Sequence, residues 1–157
     1  MNQDYKHCTN QLYSIFSSYP RPQNITGCPC CTRSLANNKW HQQPLHKIEA
    51  EQLSDYTFKA LTTYGTVNDF RYFLPRILEL LSKQALHIDP SIVWSKLIYA
   101  NWINWPVAEV TVIKQFLMVY WQNNLNNSPV FELDLMITVN KLLGDITCLL
   151  QVWACNF

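Results

Sequence analysis

Thr63-Tyr64-Gly65-Thr66-Val67-Asn68-Asp69-Phe70-Arg71-Tyr72-Phe73-Leu74-Pro75-Arg76-Ile77-Leu78-Glu79-Leu80-Leu81 is the stretch that decides the fold. Gly65 suits the left-handed position that closes a preceding helix. Thr66, with Asp69 three residues on, forms a variant of the capping box that opens the next one. Val67, Phe70, Phe73, Leu74, Ile77, Leu78 and Leu81 then recur at steps of three and four. That spacing lays an apolar stripe along one helical face, the strongest amphipathic signal in the chain. Pro75 lies inside this helix. Its ring clashes with the carbonyl one turn back, so a kink or a split is expected there.

The same grammar extends to both sides. Upstream, Leu53, Tyr56, Phe58, Ala60 and Leu61 supply the buried residues of a helix over about 49–63, with Glu49 and Glu51 favouring its N-terminus. Earlier still, Tyr5, Cys8, Leu12, Ile15 and Phe16 fall on one side of a short helix over 4–18. Tyr19-Pro20-Arg21-Pro22 ends it, because residues before proline avoid the helical region. Downstream, Asp89-Pro90 is a cap followed by proline at the first helical position. The helix it opens carries Ile92, Val93, Leu97, Ile98 and Ala100 and reaches about Trp102. Pro106 starts another, over about 107–122, with Val110, Ile113, Phe116, Leu117, Tyr120 and Trp121. Asn123 to Asn127 reads as a polar turn. Ser128-Pro129 repeats the cap, Gly144 interrupts the helix that follows, and Asp145 caps a last one.

The expected fold is therefore all-α. About six or seven helices pack as antiparallel αα-hairpins, in a bundle or a short solenoid. Only three glycines and no period-two alternation argue against a β-rich chain. No clean repeat period occurs, which weighs against a consensus solenoid. A length of 157 residues fits one domain with a real core, and 48% hydrophobic residues exclude a disordered chain. Residues 19–47 form an irregular arm within that domain, rich in proline and containing Cys28-Pro29-Cys30-Cys31. An arm of that length needs a function or a staple.

Composition removes several function classes. A net charge of +1 provides no global field for nucleic acid, and the basic residues of the first third are dispersed. Met1–Pro20 is polar and lacks the apolar core of a signal peptide. The most apolar late stretch, Leu133 to Trp153, contains Asp134, Lys141 and Asp145, so no membrane span is expected. The expected location is the cytoplasm, with reduced cysteines.

Three segments together resemble a family of uncharacterised bacterial cytosolic helical proteins. The first is Tyr19-Pro20 followed by Gly27-Cys28-Pro29-Cys30-Cys31. The second is Phe58-Lys59-Ala60, Tyr64-Gly65 and Asp69-Phe70-Arg71-Tyr72-Phe73-Leu74-Pro75-Arg76. The third is Lys96-Leu97-Ile98-Tyr99-Ala100 with Trp105-Pro106. The resemblance covers roughly residues 15–125 and is looser beyond. It implies a small helical protein and supplies no function. Within it the Cys28-x-x-Cys31 pair fits the pattern, and Cys30 looks incidental.

Three groups of residues carry candidate chemistry. Cys28 and Cys31, followed by His41 and His46, have the composition of a zinc site, since zinc takes four sulfur or nitrogen ligands in a tetrahedron. Such an ion would also order the arm. Reduced cysteines packed in a loop are the plain alternative, and a redox Cys-x-x-Cys lacks its usual βα context. Arg71, Tyr72 and Arg76 surround Pro75 and could bind a carboxylate or phosphate on a partner. The alternative is a solvated helix face with Asp69 and Glu79 as counter-ions. Trp102 and Trp105 sit at a helix–helix corner and either form a protein-binding patch or are covered by the arm, with Trp40 as its staple. No phosphate loop, nucleophile elbow or His-Glu-x-x-His motif occurs. Cys148 and Cys155 lie seven apart, which reads as core. Three functions stay open: a non-catalytic protein-interaction module with an unidentified protein partner, a small zinc-stabilised domain, and an enzyme with a site assembled from scattered residues.

Overall fold

The computed structural model describes residues 3–32, 39–127 and 132–154. Seven α-helices occur among them: α1 Gln3–Ile15, α2 Ala50–Lys59, α3 Val67–Ser82, α4 Pro90–Tyr99, α5 Val107–Asn127, α6 Leu133–Leu143 and α7 Ile146–Ala154. Short 3-10 turns fill Phe16–Ser18, Lys39–Gln42, Leu45–Lys47 and Trp102–Asn104. The chain is all-α, as its periodicity requires. No helix among the described residues is long and apolar enough to cross a membrane.

The helix ends follow their caps. Before α3, the Thr66 amide donates to Asp69 Oδ2 at 2.7 Å, and the Asp69 amide donates back to Thr66 Oγ1 at 3.3 Å. This reciprocal pair satisfies two of the amides that a helix start leaves free. Asp89 Oδ1 accepts from the Ser91 amide at 2.8 Å, with Pro90 as the first residue of α4. Gly144 has φ of 72° and closes α6, and Asp145 Oδ1 then accepts from the Thr147 amide at 2.8 Å. The Ser128-Pro129 cap and Cys155 lie outside the described residues.

Of the two outcomes expected at Pro75, a kink or a split, the split does not occur: α3 is one helix from Val67 to Ser82. Phe73, Leu74, Ile77 and Leu78 are all fully buried around the proline, and their packing outweighs the single backbone bond it removes. Asn123–Asn127 is not a turn but the last stretch of α5. The side-chain amides of Asn123, Asn124 and Asn127 each donate to the carbonyl four residues back, at 2.9, 2.9 and 2.7 Å. Those bonds occupy carbonyls on the helix surface rather than pulling the asparagines into a turn.

The sequential pairs α2–α3, α5–α6 and α6–α7 touch, but the most extensive pairing joins α1 to α5, and α1 also lies on α3. The core between them contains Leu12 and Phe16 of the first segment, Phe70, Phe73, Leu74 and Ile77 of α3, and Ile113, Phe116 and Leu117 of α5. Ring contacts continue it outward, with Trp40 5.1 Å from Phe73 and Tyr56 4.7 Å from Phe73. α3 is thus covered on several sides, which is what fixes the positions of everything attached to it.

Candidate functional site

The arm is ordered by backbone pairing to the corner between α2 and α3. The Gly65 amide donates to the Thr26 carbonyl at 2.7 Å, and the Cys28 amide donates to the Thr63 carbonyl at 2.9 Å. Gly27 lies between these bonds, against Tyr64. A Cβ at Gly27 would meet the Thr63 carbonyl oxygen at 2.8 Å, the Thr32 methyl at 2.9 Å and the Tyr64 ring. Only glycine lets the two backbones come so close.

The cysteines follow at once. The Cys28 carbonyl accepts from the Cys31 amide at 3.1 Å, the Thr32 amide at 3.0 Å and the Thr32 hydroxyl at 2.7 Å. Thr32 is buried and nails down the end of the turn. With its backbone closed in this way, the turn gathers three sulfurs. Cys28 Sγ lies 2.9 Å from Cys30 Sγ, and Cys30 Sγ lies 3.5 Å from Cys31 Sγ. All three fall within 4.8 Å of one another, so the group can hold a metal ion. Hydrogen bonding from the Cys30 thiol, then from the Cys31 and Cys30 amides, holds the Cys28 thiol down at about 7. Cys30, tied first to Cys28 and then to Cys31, is pushed up to about 11.

The ligand set differs from the one expected. Cys28 and Cys31 are there, but the third member is Cys30, which the sequence pattern had made incidental. His41 and His46 do not join them. His41 is buried in the Lys39–Gln42 turn, where its Nε2 donates to the Gln23 carbonyl at 3.2 Å. His46 is exposed in the next turn. Trp40, next to His41, packs on Tyr56 and Phe73.

The arginines are also placed differently. Arg71 turns inward over the Trp105 ring, 4.2 Å from its centroid, and over the Tyr19 ring at 5.3 Å. Its Nη1 donates to the Tyr19 hydroxyl at 2.8 Å, and its Nε forms a 3.5 Å ion pair with Glu109 Oε2. Tyr19 in turn donates to Glu109 Oε1 at 2.6 Å. Arg76 donates twice to the Ile48 carbonyl, at 3.2 and 3.1 Å, and to Glu79 Oε2 at 2.9 Å. Tyr13 of α1 and Lys83 also reach Glu79, at 2.7 and 2.6 Å. Tyr72 is half-buried, its ring 4.9 Å from Phe73. Both guanidiniums bond within the chain and staple α3 to its neighbours. Burial alone would raise the Glu79 carboxyl, but Lys83, Tyr13 and Arg76 outweigh it and hold it down at about 2.

The tryptophan corner is closed. Asn101 adopts a left-handed backbone, φ 53°, which turns the chain sharply after α4. Trp102 and Trp105 are buried by that turn, and Trp105 Nε1 donates to the Ala100 carbonyl at 3.1 Å. The cover over Trp105 is Phe16 and Arg71, not Trp40. Trp102 and Trp105 thus have their faces covered within the chain. The exposed apolar side chains of this corner are instead Ile98, Tyr99, Ile103 and Val107.

A second concavity of about 1020 Å³ opens between α1 and α5, lined among others by His7, Gln11, Lys114, Gln115 and Cys148. Cys148 is exposed rather than core, and donates to Asp145 Oδ2 at 3.2 Å. That bond raises its thiol, while burial raises Cys8 beside it. Both shifts run against thiolate formation.

No family model, curated protein or solved structure matches the chain.

Proposed function

We propose that this protein is a non-catalytic helical scaffold that holds a thiophilic metal ion on the Cys28–Cys31 turn. The observation that carries this reading is the convergence of three sulfurs within 4.8 Å on a turn whose backbone is already pinned. Thiolate sulfur is the donor that soft and borderline metals prefer. Zinc, the ion suggested by the Cys28–Cys31 spacing, binds sulfur at about 2.3 Å, which sets tetrahedral sulfurs about 3.8 Å apart. The present sulfurs reach that spacing by opening about 1 Å, through rotation of exposed side chains. The ion would tie Cys28 to Cys31 across a turn already joined to the start of α3, and its binding energy would add to the stability of the arm.

The test is titration of the reduced full-length protein with cadmium or cobalt, read by thiolate-to-metal charge-transfer absorption. One equivalent bound, with a raised melting temperature and loss of the band in Cys30→Ser, is the expected result. Absence of the band at stoichiometric metal would overturn the reading.

A second reading rests on the corner between α4 and α5. Ile98, Tyr99, Ile103 and Val107 are each at least half exposed within ten residues, a concentration that fits protein binding. Under it, Ile98→Asp combined with Ile103→Asp abolishes any stoichiometric complex the protein forms, without lowering its melting temperature. A complex that survives both substitutions would dismiss that surface.

A further inference from the structure

Three features of the cysteine turn bear on which ion it takes, given the metal-holding reading above. The first is ligand number. No histidine, aspartate, glutamate or fourth cysteine joins the three sulfurs among the described residues. The neighbouring residues 33–38 read Arg33-Ser34-Leu35-Ala36-Asn37-Asn38 and contain no thiol, imidazole or carboxylate. A tetrahedral structural zinc site takes four such donors. Among the described residues the turn gathers three.

The second is charge. No arginine, lysine or histidine makes a hydrogen bond or ion pair to the three sulfurs among the described residues. Three thiolates leave a net negative centre around a monovalent or divalent cation, and no described cationic side chain is bonded to the sulfurs to offset it. A trivalent centre bound to three thiolates is neutral.

The third is access. Cys30 and Cys31 are exposed and Cys28 half-buried, so a ligand reaches all three sulfurs from solvent without the fold opening. The backbone that carries them is fixed on both sides, by the Thr63 carbonyl before Cys28 and by buried Thr32 after Cys31. Little ordering remains to be done on binding.

We propose that the Cys28, Cys30 and Cys31 sulfurs form a three-coordinate site for trivalent arsenic, taken up as arsenous acid. The step balances without a redox partner. Three S–As bonds form and three As–O bonds break. Each thiol proton leaves on a released hydroxide as water, so one As(OH)3 and three thiols give one neutral tris-thiolate and three waters. Arsenic stays trivalent throughout, and its lone pair occupies the position where the chain offers no fourth ligand.

The experiment is intact-mass spectrometry of the reduced full-length protein with sodium arsenite, run beside the cadmium titration. One arsenic per chain, with three hydrogens lost, is expected. Loss of a second-shell partner typically weakens a metal site roughly 10–100-fold, so removing a ligand, in Cys28→Ser, Cys30→Ser or Cys31→Ser, is expected to cost at least that. Cys8→Ser, Cys148→Ser and Cys155→Ser leave the affinity unchanged. Circular dichroism confirms that each variant is folded. An adduct that keeps a hydroxyl on arsenic, or one indifferent to Cys30→Ser, overturns the three-sulfur site. Cadmium binding without arsenite binding overturns this inference and leaves the metal-holding reading in place. Failure of both ions overturns both.

Discussion

The Arg71 seam and the cysteine turn both lean on α3, and they use polar groups in opposite ways. In the seam, Arg71, Tyr19, Glu109 and Trp105 bond to and pack on one another, with Glu109 buried, the guanidinium pressed on the indole, and Arg71 Nε and Glu109 Oε2 joined by an ion pair rather than a hydrogen bond. In the turn, the backbone makes the anchoring bonds and the side chains remain free to react with something else. From residue types alone, an arginine pair beside tryptophans looks as functional as a cysteine cluster. The difference is where the hydrogen-bonding capacity goes. A group whose partners all lie within the chain is architecture, whereas one held in place by its backbone with its reactive atom in solvent is available for chemistry.

The largest expected effect tests the common foundation. Trp40 is 1% exposed and touches both Tyr56 and Phe73. Trp40→Ala is expected to cost about 3–5 kcal/mol in denaturant titration, as large aromatic truncations do. A loss under about 1 kcal/mol would mean that the arm lies on the core without contributing to it.

Next comes the seam. Arg71→Ala leaves the Glu109 carboxylate buried without its cation, a situation that costs about 3 kcal/mol or more. The double variant Arg71→Ala with Glu109→Gln is expected to recover part of that loss, and a double-mutant cycle measures how much. Strict additivity of the two changes would show that the pair is not coupled, and the contrast with the turn would fail.

Glu79 provides a smaller, pH-dependent effect. Its folded pKa of about 2 lies below the ordinary 4.5, so its stabilisation is present above pH 4.5 and is lost as pH falls toward 2. In Glu79→Gln the acid side of the stability profile should flatten over that window. The effect is on the order of 1 kcal/mol once solvent screening at this partly exposed group is included. An unchanged profile would show that Lys83, Tyr13 and Arg76 do not act through this carboxylate.

The smallest effect sharpens the comparison from the other side. Cys30 is exposed and its sulfur lies within hydrogen-bond distance of the other two thiols. Cys30→Ser should change stability of the metal-free protein by no more than about 0.5 kcal/mol, as surface substitutions do. A larger loss by thermal or chemical melting would make the cysteines structural, like the arginines.

The sequence by itself determined the helices and their ends. Thr66 with Asp69, Asp89 with Pro90, and Gly144 with Asp145 are signals spanning two to four residues, and each acts through bonds within that span. The apolar stripe of α3 is likewise local, so its helix was legible despite Pro75. The Cys28–Cys31 spacing marked the turn as a candidate metal site, but it could not say that Cys30 would be the third sulfur of the group. Cys30 joins because the closed turn brings adjacent sulfurs together, and His41 is instead bonded to the Gln23 carbonyl beside the Trp40 ring. Asn123–Asn127 misled because asparagine favours turns, and only the α5 backbone reveals its amides capping carbonyls one turn back. Tertiary structure alone decided that α1 lies along α5, that Arg71 faces Trp105, and that the tryptophan corner is closed. The physical reason is separation. Arg71 and Trp105 are distant in the chain and meet only after the helices pack, so no local rule of spacing or propensity distinguishes an arginine that reaches solvent from one that turns inward.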